Sequence, residues 1–233
     1  MTQIKTSAII LAAGSGKRMG SEIPKQFLLL DGKPILYYTL KAFEDSRIDN
    51  IILVVGNNDI EYCRKEIAQK FKLEKVKAIV EGGKERYHSA FQGIKQADGA
   101  EYVLIHDGAR PFITAEIINR TIEEVITHKA CIVGVPTKDT IKMVDDKGFV
   151  YETPDRNKLW SIQTPQAFSY ELILEAYNKL LSLPAVNLQN ITDDAMVVEQ
   201  MLHQPVKLVM GSYRNIKITT VEDLIIGNSF LEE

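Results

Sequence analysis

Short apolar runs alternate with amphipathic stretches along almost the whole chain, and this alternation limits the fold more than any other feature. Runs at Ser7–Ala13, Asn50–Val55, Val76–Val80, Glu101–Ile105 and Ala130–Val135 are rich in Ile, Val and Leu without regular polar alternation. Such runs fit strands covered on both faces. Helical patterns occupy about 34–45, 59–70, 86–97 and 114–128 between them, then 169–181 and 192–202. A further strand reads at Val206–Met210, and a last helix starts near Val221, with Thr220 and Asp223 as its capping pair. Pro34 follows an Asp-Gly-Lys turn and sits near a helix start, where its missing N–H is harmless. Repeated strand–helix–strand units imply right-handed crossovers and a mostly parallel sheet.

One segment breaks the rhythm. Thr140–Tyr151 carries two short β-prone arms around Asp145-Asp146-Lys147-Gly148, a hairpin signature. Inserted over 137–157, it would project from the sheet and expose Ile141, Met143, Val144, Phe149, Val150 and Tyr151. That is more apolar surface than a monomer ordinarily shows, so the segment reads as a dimerisation arm. The alternative is an antiparallel edge of the same sheet. The expected fold is thus a single Rossmann-like α/β domain over 1–233, its sheet flanked by helices, with a protruding β-hairpin arm.

The net charge of −3 argues against a general nucleic-acid binder, which needs a basic surface to neutralise phosphates. Small anions need only a local cationic pocket. Cys63 and Cys131 lie in apolar or helical contexts, form no Cys-x-x-Cys pair and have no His at ligand spacing, so they read as buried thiols. The apolar run ending at Gly14 is too short for a signal peptide, and no run reaches membrane-spanning length. A cytoplasmic protein with no membrane partner is the expectation.

The strongest local feature is Leu11-Ala12-Ala13-Gly14-Ser15-Gly16-Lys17-Arg18-Met19-Gly20, directly after the first strand. Glycine-rich turns at the carboxyl edge of a parallel sheet let backbone N–H groups cradle phosphate. A Walker loop would need Gly at 11 and Ser or Thr at 18, where Leu11 and Arg18 stand. A dinucleotide fingerprint would need Gly at 19, where Met19 stands, and an acid closing the second strand, which ends Val54-Val55-Gly56. Two cations mark this loop instead: Arg18, and Lys25 in Pro24-Lys25-Gln26-Phe27. Fixed positive charge beside a backbone nest suits a triphosphate whose charge grows on leaving pyrophosphate. Lys17 reads as a solvated basic residue.

These residues resemble the nucleotidyltransferase branch that contains the 2-C-methyl-D-erythritol 4-phosphate cytidylyltransferases, and the resemblance continues in order along nearly the whole chain. Its carriers are Gly82-Gly83-Lys84-Glu85-Arg86-Tyr87-His88-Ser89, His106-Asp107-Gly108-Ala109-Arg110-Pro111, Lys138-Asp139-Thr140-Ile141-Lys142 and Asp155-Arg156-Asn157 with Leu159-Trp160. Thr164-Pro165-Gln166, Thr192-Asp193-Asp194-Ala195 and Asn215-Ile216-Lys217-Ile218-Thr219 complete the set. A sister family making CDP-ribitol typically shows Ala-Gly-Gly in the first loop and Ser-Val-Arg after His-Asp. This chain has Ala12-Ala13-Gly14 and Gly108-Ala109-Arg110 instead, although Val221 stands where Pro is common in both families.

The resemblance implies cytidylyl transfer from CTP to a polyol phosphate, with Mg²⁺ on the triphosphate. It implies Arg18, Lys25, Arg156 and Lys217 as catalytic cations, and Ala12, Ala13, Gly14, Ser15, Gly16, Gly82, Gly83 and Ser89 around the nucleotide. It further implies Asp107, Arg110, Thr140, Thr164 and Thr192 at the polyol phosphate, with Asp107 as a candidate metal ligand. Thr140 and Arg156 would act across a homodimer. On chemistry alone, Asp107 can accept polyol hydroxyls or approach Mg²⁺, and Arg110 can grip phosphate. His106 reads as a packed strand residue, because a phosphate monoester nucleophile needs no base. Trp160 reads as core or arm packing.

Overall fold

Residues 4–14, 23–184 and 191–231 are described by the structure, a computed structural model. The chain opens with β1 (Thr6–Ala12), a two-stranded ribbon of β2 (Leu29–Leu30) and β3 (Lys33–Pro34), α1 (Ile35–Glu44) and β4 (Asn50–Val55). Next come α2 (Ile60–Tyr62), which runs on as a π-helical segment Cys63–Gln69, then β5 (Val76–Glu81), α3 (Arg86–Gln96) and β6 (Tyr102–Asp107). α4 (Ala115–His128), β7 (Ala130–Pro136), β8 (Met143–Val144), β9 (Val150–Glu152) and β10 (Trp160–Ser169) follow. α5 (Tyr170–Leu181), α6 (Asp194–Leu202), β11 (Lys207–Met210) and α7 (Val221–Leu231) close the described chain.

Seven strands form one sheet in the order β11-β7-β10-β6-β1-β4-β5. β1 pairs in parallel with both β4 and β6, β4 with β5, and β7 with β11. Strand periodicity divides the core into two layers. Ala8, Ile10 and Ala12 of β1 point to one face, with Leu36, Leu40 and Phe43 of α1, Cys63 and Ile67, and Ile118 and Val125 of α4. Ile9 points to the other, with Ala90 and Ile94 of α3, Ile173 and Tyr177 of α5, and Val197 and Val198 of α6. Each fully buried Ile, Leu or Val side chain among them contributes about 1.5–3 kcal/mol of burial energy. Gly93 brings α3 close to the sheet, since a Cβ there would lie 2.3 Å from Ile9 Cγ2.

Two features depart from the sequence reading. β10 was not expected, yet it lies between β6 and β7 and runs antiparallel to both. Pro165 masks it, because proline lacks the N–H that an interior strand donates. The ladder with β7 accommodates this residue by a register shift between Ile162 and Gln166, and the Thr164–Pro165 peptide is cis. β5, expected to be covered on both faces, is an edge strand whose residues are half-buried or exposed.

The arm segment forms its own antiparallel ribbon, β8 with β9, so the alternative of an added edge to the main sheet does not hold. Asp145 shapes its turn by accepting the N–H groups of Lys147 and Phe149 at 3.0 and 2.9 Å. Val144, Phe149, Val150 and Tyr151 are 54%, 72%, 56% and 62% exposed, the expected apolar surface. At α7, Asp223 Oδ2 accepts Thr220 N–H at 2.9 Å and Thr220 Oγ1 accepts Asp223 N–H at 3.3 Å, the expected reciprocal cap. Among the described residues, no helix is long and apolar enough to cross a membrane.

Candidate active site

From β1 the chain builds outward through β4 and β5, then crosses back to place β6 on the other side of β1. Such a switch in direction opens a crevice at the strands' carboxyl ends, where α/β sheets bind ligands. A cavity of about 220 Å³ lies there. Its walls include Ala12, Ala13 and Gly14 at the end of β1, Lys25 and Gln26, Gly83, Lys84 and Glu85 with Arg86 and Ser89 of α3, Asp107 and Ala109 at the end of β6, and Lys217.

Local contacts hold each wall. Gln26 Nε2 donates to the Ala12 carbonyl at 2.7 Å and seats the Lys25 turn against the end of β1. Ile218 N–H donates to the Ala109 carbonyl at 2.8 Å, which brings Lys217 beside the end of β6. Ser89 Oγ accepts the Gly83 N–H at 3.0 Å, bracing the second glycine turn. At Gly82 a Cβ would lie 2.5 Å from the Ala13 Cβ, so only glycine lets the loops after β1 and β5 touch.

Asp107 is the electrostatic centre. Its Oδ2 lies 2.8 Å from Lys217 Nζ and 3.8 Å from Arg110 Nε, and its Oδ1 lies 3.5 Å from Arg86 Nε. Burial alone would raise its pKa, but Arg86, Lys217 and Arg110 hold the carboxyl well below the usual range, so it stays ionised. The Asp107 N–H donates to Thr164 Oγ1 at 3.1 Å, and the same hydroxyl lies 3.0 Å from His106 Nδ1. His106 is fully buried, and burial pushes its pKa down to about 3, leaving the ring neutral. This agrees with a packed strand residue.

The structure brings Ala12, Ala13, Gly14, Lys25, Gly83, Ser89, Asp107 and Lys217 to one cavity. Ser15, Gly16 and Arg18 lie outside the described residues. Thr164 is buried behind Asp107, its hydroxyl engaged with the strand beneath. Arg110 stands behind the same carboxylate and donates to the Asn215 carbonyl at 2.7 Å. Thr192 is exposed just before α6, with its hydroxyl 3.5 Å from Met196 Sδ. Thr140 and Arg156 are exposed on the arm and its base, where Arg156 Nη1 donates to the Lys138 carbonyl at 3.1 Å.

Sequence reasoning gave no role to Arg86 or Asp194. Arg86 forks onto Asp194, with Nη1–Oδ1 at 3.0 Å and Nη2–Oδ2 at 2.7 Å. Both residues stood inside quoted motifs, but a pairing across 108 positions leaves no local periodicity. Asp107 does not fit the metal-ligand expectation well: three cations already surround its oxygens. Among the described residues, no group of three His, Cys, Asp or Glu side chains could hold a metal ion.

The family model for 2-C-methyl-D-erythritol 4-phosphate cytidylyltransferase matches residues 6–233. A curated protein of that name from Lachnoclostridium phytofermentans is 52% identical over 229 residues, covering 98% of this chain and 97% of its own length. One from Lachnospira eligens is 51% identical over 227 residues, covering 97% and 99%. Among solved structures, a 4-diphosphocytidyl-2C-methyl-D-erythritol synthase from Anaerococcus prevotii superposes with a TM-score of 0.86 at 39% identity, covering 99% of this chain and 97% of that one. The Thermus thermophilus cytidylyltransferase superposes with a TM-score of 0.76 at 26% identity, covering 97% and 98%. With a matching family model over nearly its whole length and half-identical relatives of equal extent, the chain belongs to the 2-C-methyl-D-erythritol 4-phosphate cytidylyltransferase family.

Proposed function

We propose that this chain transfers the cytidylyl group of CTP to 2-C-methyl-D-erythritol 4-phosphate, giving the CDP-linked methylerythritol and pyrophosphate in isoprenoid precursor biosynthesis by the non-mevalonate route. One observation carries this: Lys25 and Lys217 line one glycine-walled cavity, with an ionised Asp107, at the carboxyl ends of β1 and β6. Family membership supplies the two substrates.

In the reaction an acceptor phosphate oxygen forms a bond to the α-phosphorus of CTP. The bond from that phosphorus to the β-phosphate bridging oxygen breaks, and pyrophosphate leaves with the electron pair. A phosphate monoester is already anionic near neutral pH, so the step needs positioning and charge neutralisation rather than a base. The neutral, buried His106 fits that demand.

Lys25 and Arg18 neutralise charge building on pyrophosphate, while the backbone of Ala12–Gly16 cradles the triphosphate. Gly82, Gly83 and Ser89 shape the side that takes cytosine and ribose. Asp107 accepts polyol hydroxyls, Lys217 and Arg110 supply positive charge toward the acceptor phosphate, and Thr164 acts through Asp107 as a positioning residue. Thr192 serves the acceptor side from the start of α6. Mg²⁺ enters as the counter-ion of CTP, part of the substrate rather than a protein-caged ion. The arm at 137–157 pairs two copies of a single catalytic domain spanning 1–233, and Thr140 and Arg156 reach the partner's site. The working compartment is the cytoplasm.

A ribitol phosphate acceptor is not favoured, because Gly108-Ala109-Arg110 follows His106-Asp107 and the family match is to the methylerythritol enzymes. A catalytically silent nucleotide binder is the other reading. Substituting Lys25→Ala separates the two: the variant should stay folded and lose about 10²–10³-fold in kcat, the scale for removing one group that stabilises developing charge. Near-normal kcat would remove Lys25 from the chemistry, and a wild-type chain that binds CTP without turnover would favour the silent binder.

A further inference from the structure

Arg86 opens α3 and joins two carboxylates from distant parts of the chain. Its Nη1 and Nη2 fork onto Asp194 at 3.0 and 2.7 Å, while Nε lies 3.5 Å from Asp107 Oδ1. Asp194 is itself fixed from behind: it is fully buried, and Tyr177 donates its hydroxyl to Oδ1 at 2.6 Å. Gln166 Oε1 accepts the N–H groups of Asp194 and Ala195 at 3.0 and 2.9 Å, and Gln166 Nε2 donates to Asp193 Oδ2 at 2.9 Å. The first turn of α6, β10 and α5 therefore converge on one end of the guanidinium. Its other edge lies on the cavity wall.

Three cations surround Asp107, but they are not equivalent. Lys217 offers a point charge on a flexible stem, which neutralises without fixing direction. Arg110 Nε is the most distant of the three at 3.8 Å, and its Nη1 is committed to the Asn215 carbonyl. Arg86 alone among them is gripped bidentately by a second carboxylate, a geometry that sets orientation as well as charge.

We propose that Arg86 is a positioning residue for the acceptor, an arginine anchored on Asp194 that fixes the direction in which Asp107 meets the polyol hydroxyls. This rests on the transfer reaction proposed above. Arg86 thereby ties the acceptor half of the cavity to the start of α6, where Thr192 also lies, and leaves the glycine turns to hold CTP.

The test is steady-state pyrophosphate release with CTP and methylerythritol 4-phosphate varied separately, for wild type, Arg86→Met and Arg86→Lys. It is joined by calorimetric CTP binding in the absence of acceptor and by thermal melts. Arg86→Met leaves Asp194 buried without its cationic partner, a strongly destabilising change. If it does not fold, Arg86→Lys carries the test, since an ammonium keeps the charge but cannot hold two carboxylates in fixed directions. The acceptor KM should rise by about tenfold or more, while the CTP KM and Kd stay within about threefold, the pattern of lost binding confined to one substrate. A folded Arg86→Lys with unchanged acceptor KM overturns the role, and so does an equal rise for both substrates, the mark of a merely structural residue. If the wild-type chain itself shows no turnover, the reaction falls and this role with it; turnover by wild type assigns any failure to Arg86 alone.

Discussion

Neutral histidine beneath the cavity sets an acid limit on the fold. His106 is buried against Phe43, with ring centroids 5.1 Å apart, and burial lowers its pKa from 6.5 to about 3. Between those values the unfolded chain binds a proton that the native chain refuses. Stability is therefore full above about pH 6.5 and falls as pH drops toward 3, by at most about 1.4 kcal/mol per pH unit. Asp107 adds a loss of the same sign at lower pH, because the native carboxyl titrates below its unfolded value of 3.8. Urea unfolding of wild type and His106→Gln at pH 7, 6 and 5 checks this. The variant should show the shallower pH dependence; parallel slopes would contradict it. The buried, low-pKa state of His106 was half legible in sequence: a His flanked by a strand's apolar residues reads as packed, whereas its Thr164 partner lies on a strand the sequence hid.

At the scale of elements, legibility followed locality. β1, β4, β6 and β7 announce themselves by continuous apolar runs, and the arm by its Asp-Asp-Lys-Gly turn. β10 does not, because Pro165 interrupts it and only the register shift with β7 makes a proline tolerable inside a sheet. Thr164 lies on that same strand, so its hydroxyl's acceptance of the Asp107 N–H was not legible in the sequence either. The arm carries its own prediction. Among the described residues it pairs with no strand of the main sheet, so a charge placed on it should leave the subunit fold intact. If the arm pairs two copies as proposed, Phe149→Asp should shift sedimentation velocity from dimer to monomer with a nearly unchanged thermal midpoint. Persistence of the dimer at micromolar concentration would show that assembly runs through another surface.

Across the whole molecule, the sequence motifs fall into two sets. Ala12, Ala13, Gly14, Lys25, Gly83, Ser89, Asp107 and Lys217 line one cavity, because the sheet order returns the chain beside β1. Thr140 and Arg156 stand apart on exposed chain near the arm. Parallel connectivity made the first set foreseeable; the Arg86–Asp194 pairing was not, since helix starts 108 residues apart meet only in the folded chain. If the second set completes a partner's site, sites are shared, and mixing tests it. Arg18→Ala and Arg156→Ala homodimers are each expected to be nearly inactive. Random exchange makes half the dimers mixed, each with one intact and one doubly altered site, so activity should recover to roughly a quarter of wild type in a two-fold symmetric dimer. No recovery after verified exchange would show that each subunit works alone.

The central claim is the identity of the reaction, and pyrophosphate release from CTP and Mg²⁺ with each of two acceptors tests it most directly. Methylerythritol 4-phosphate should support turnover far above that with ribitol 5-phosphate, with a CDP-linked product formed in equal amount to pyrophosphate. Turnover with ribitol 5-phosphate alone, or CTP bound and never consumed, would contradict the account.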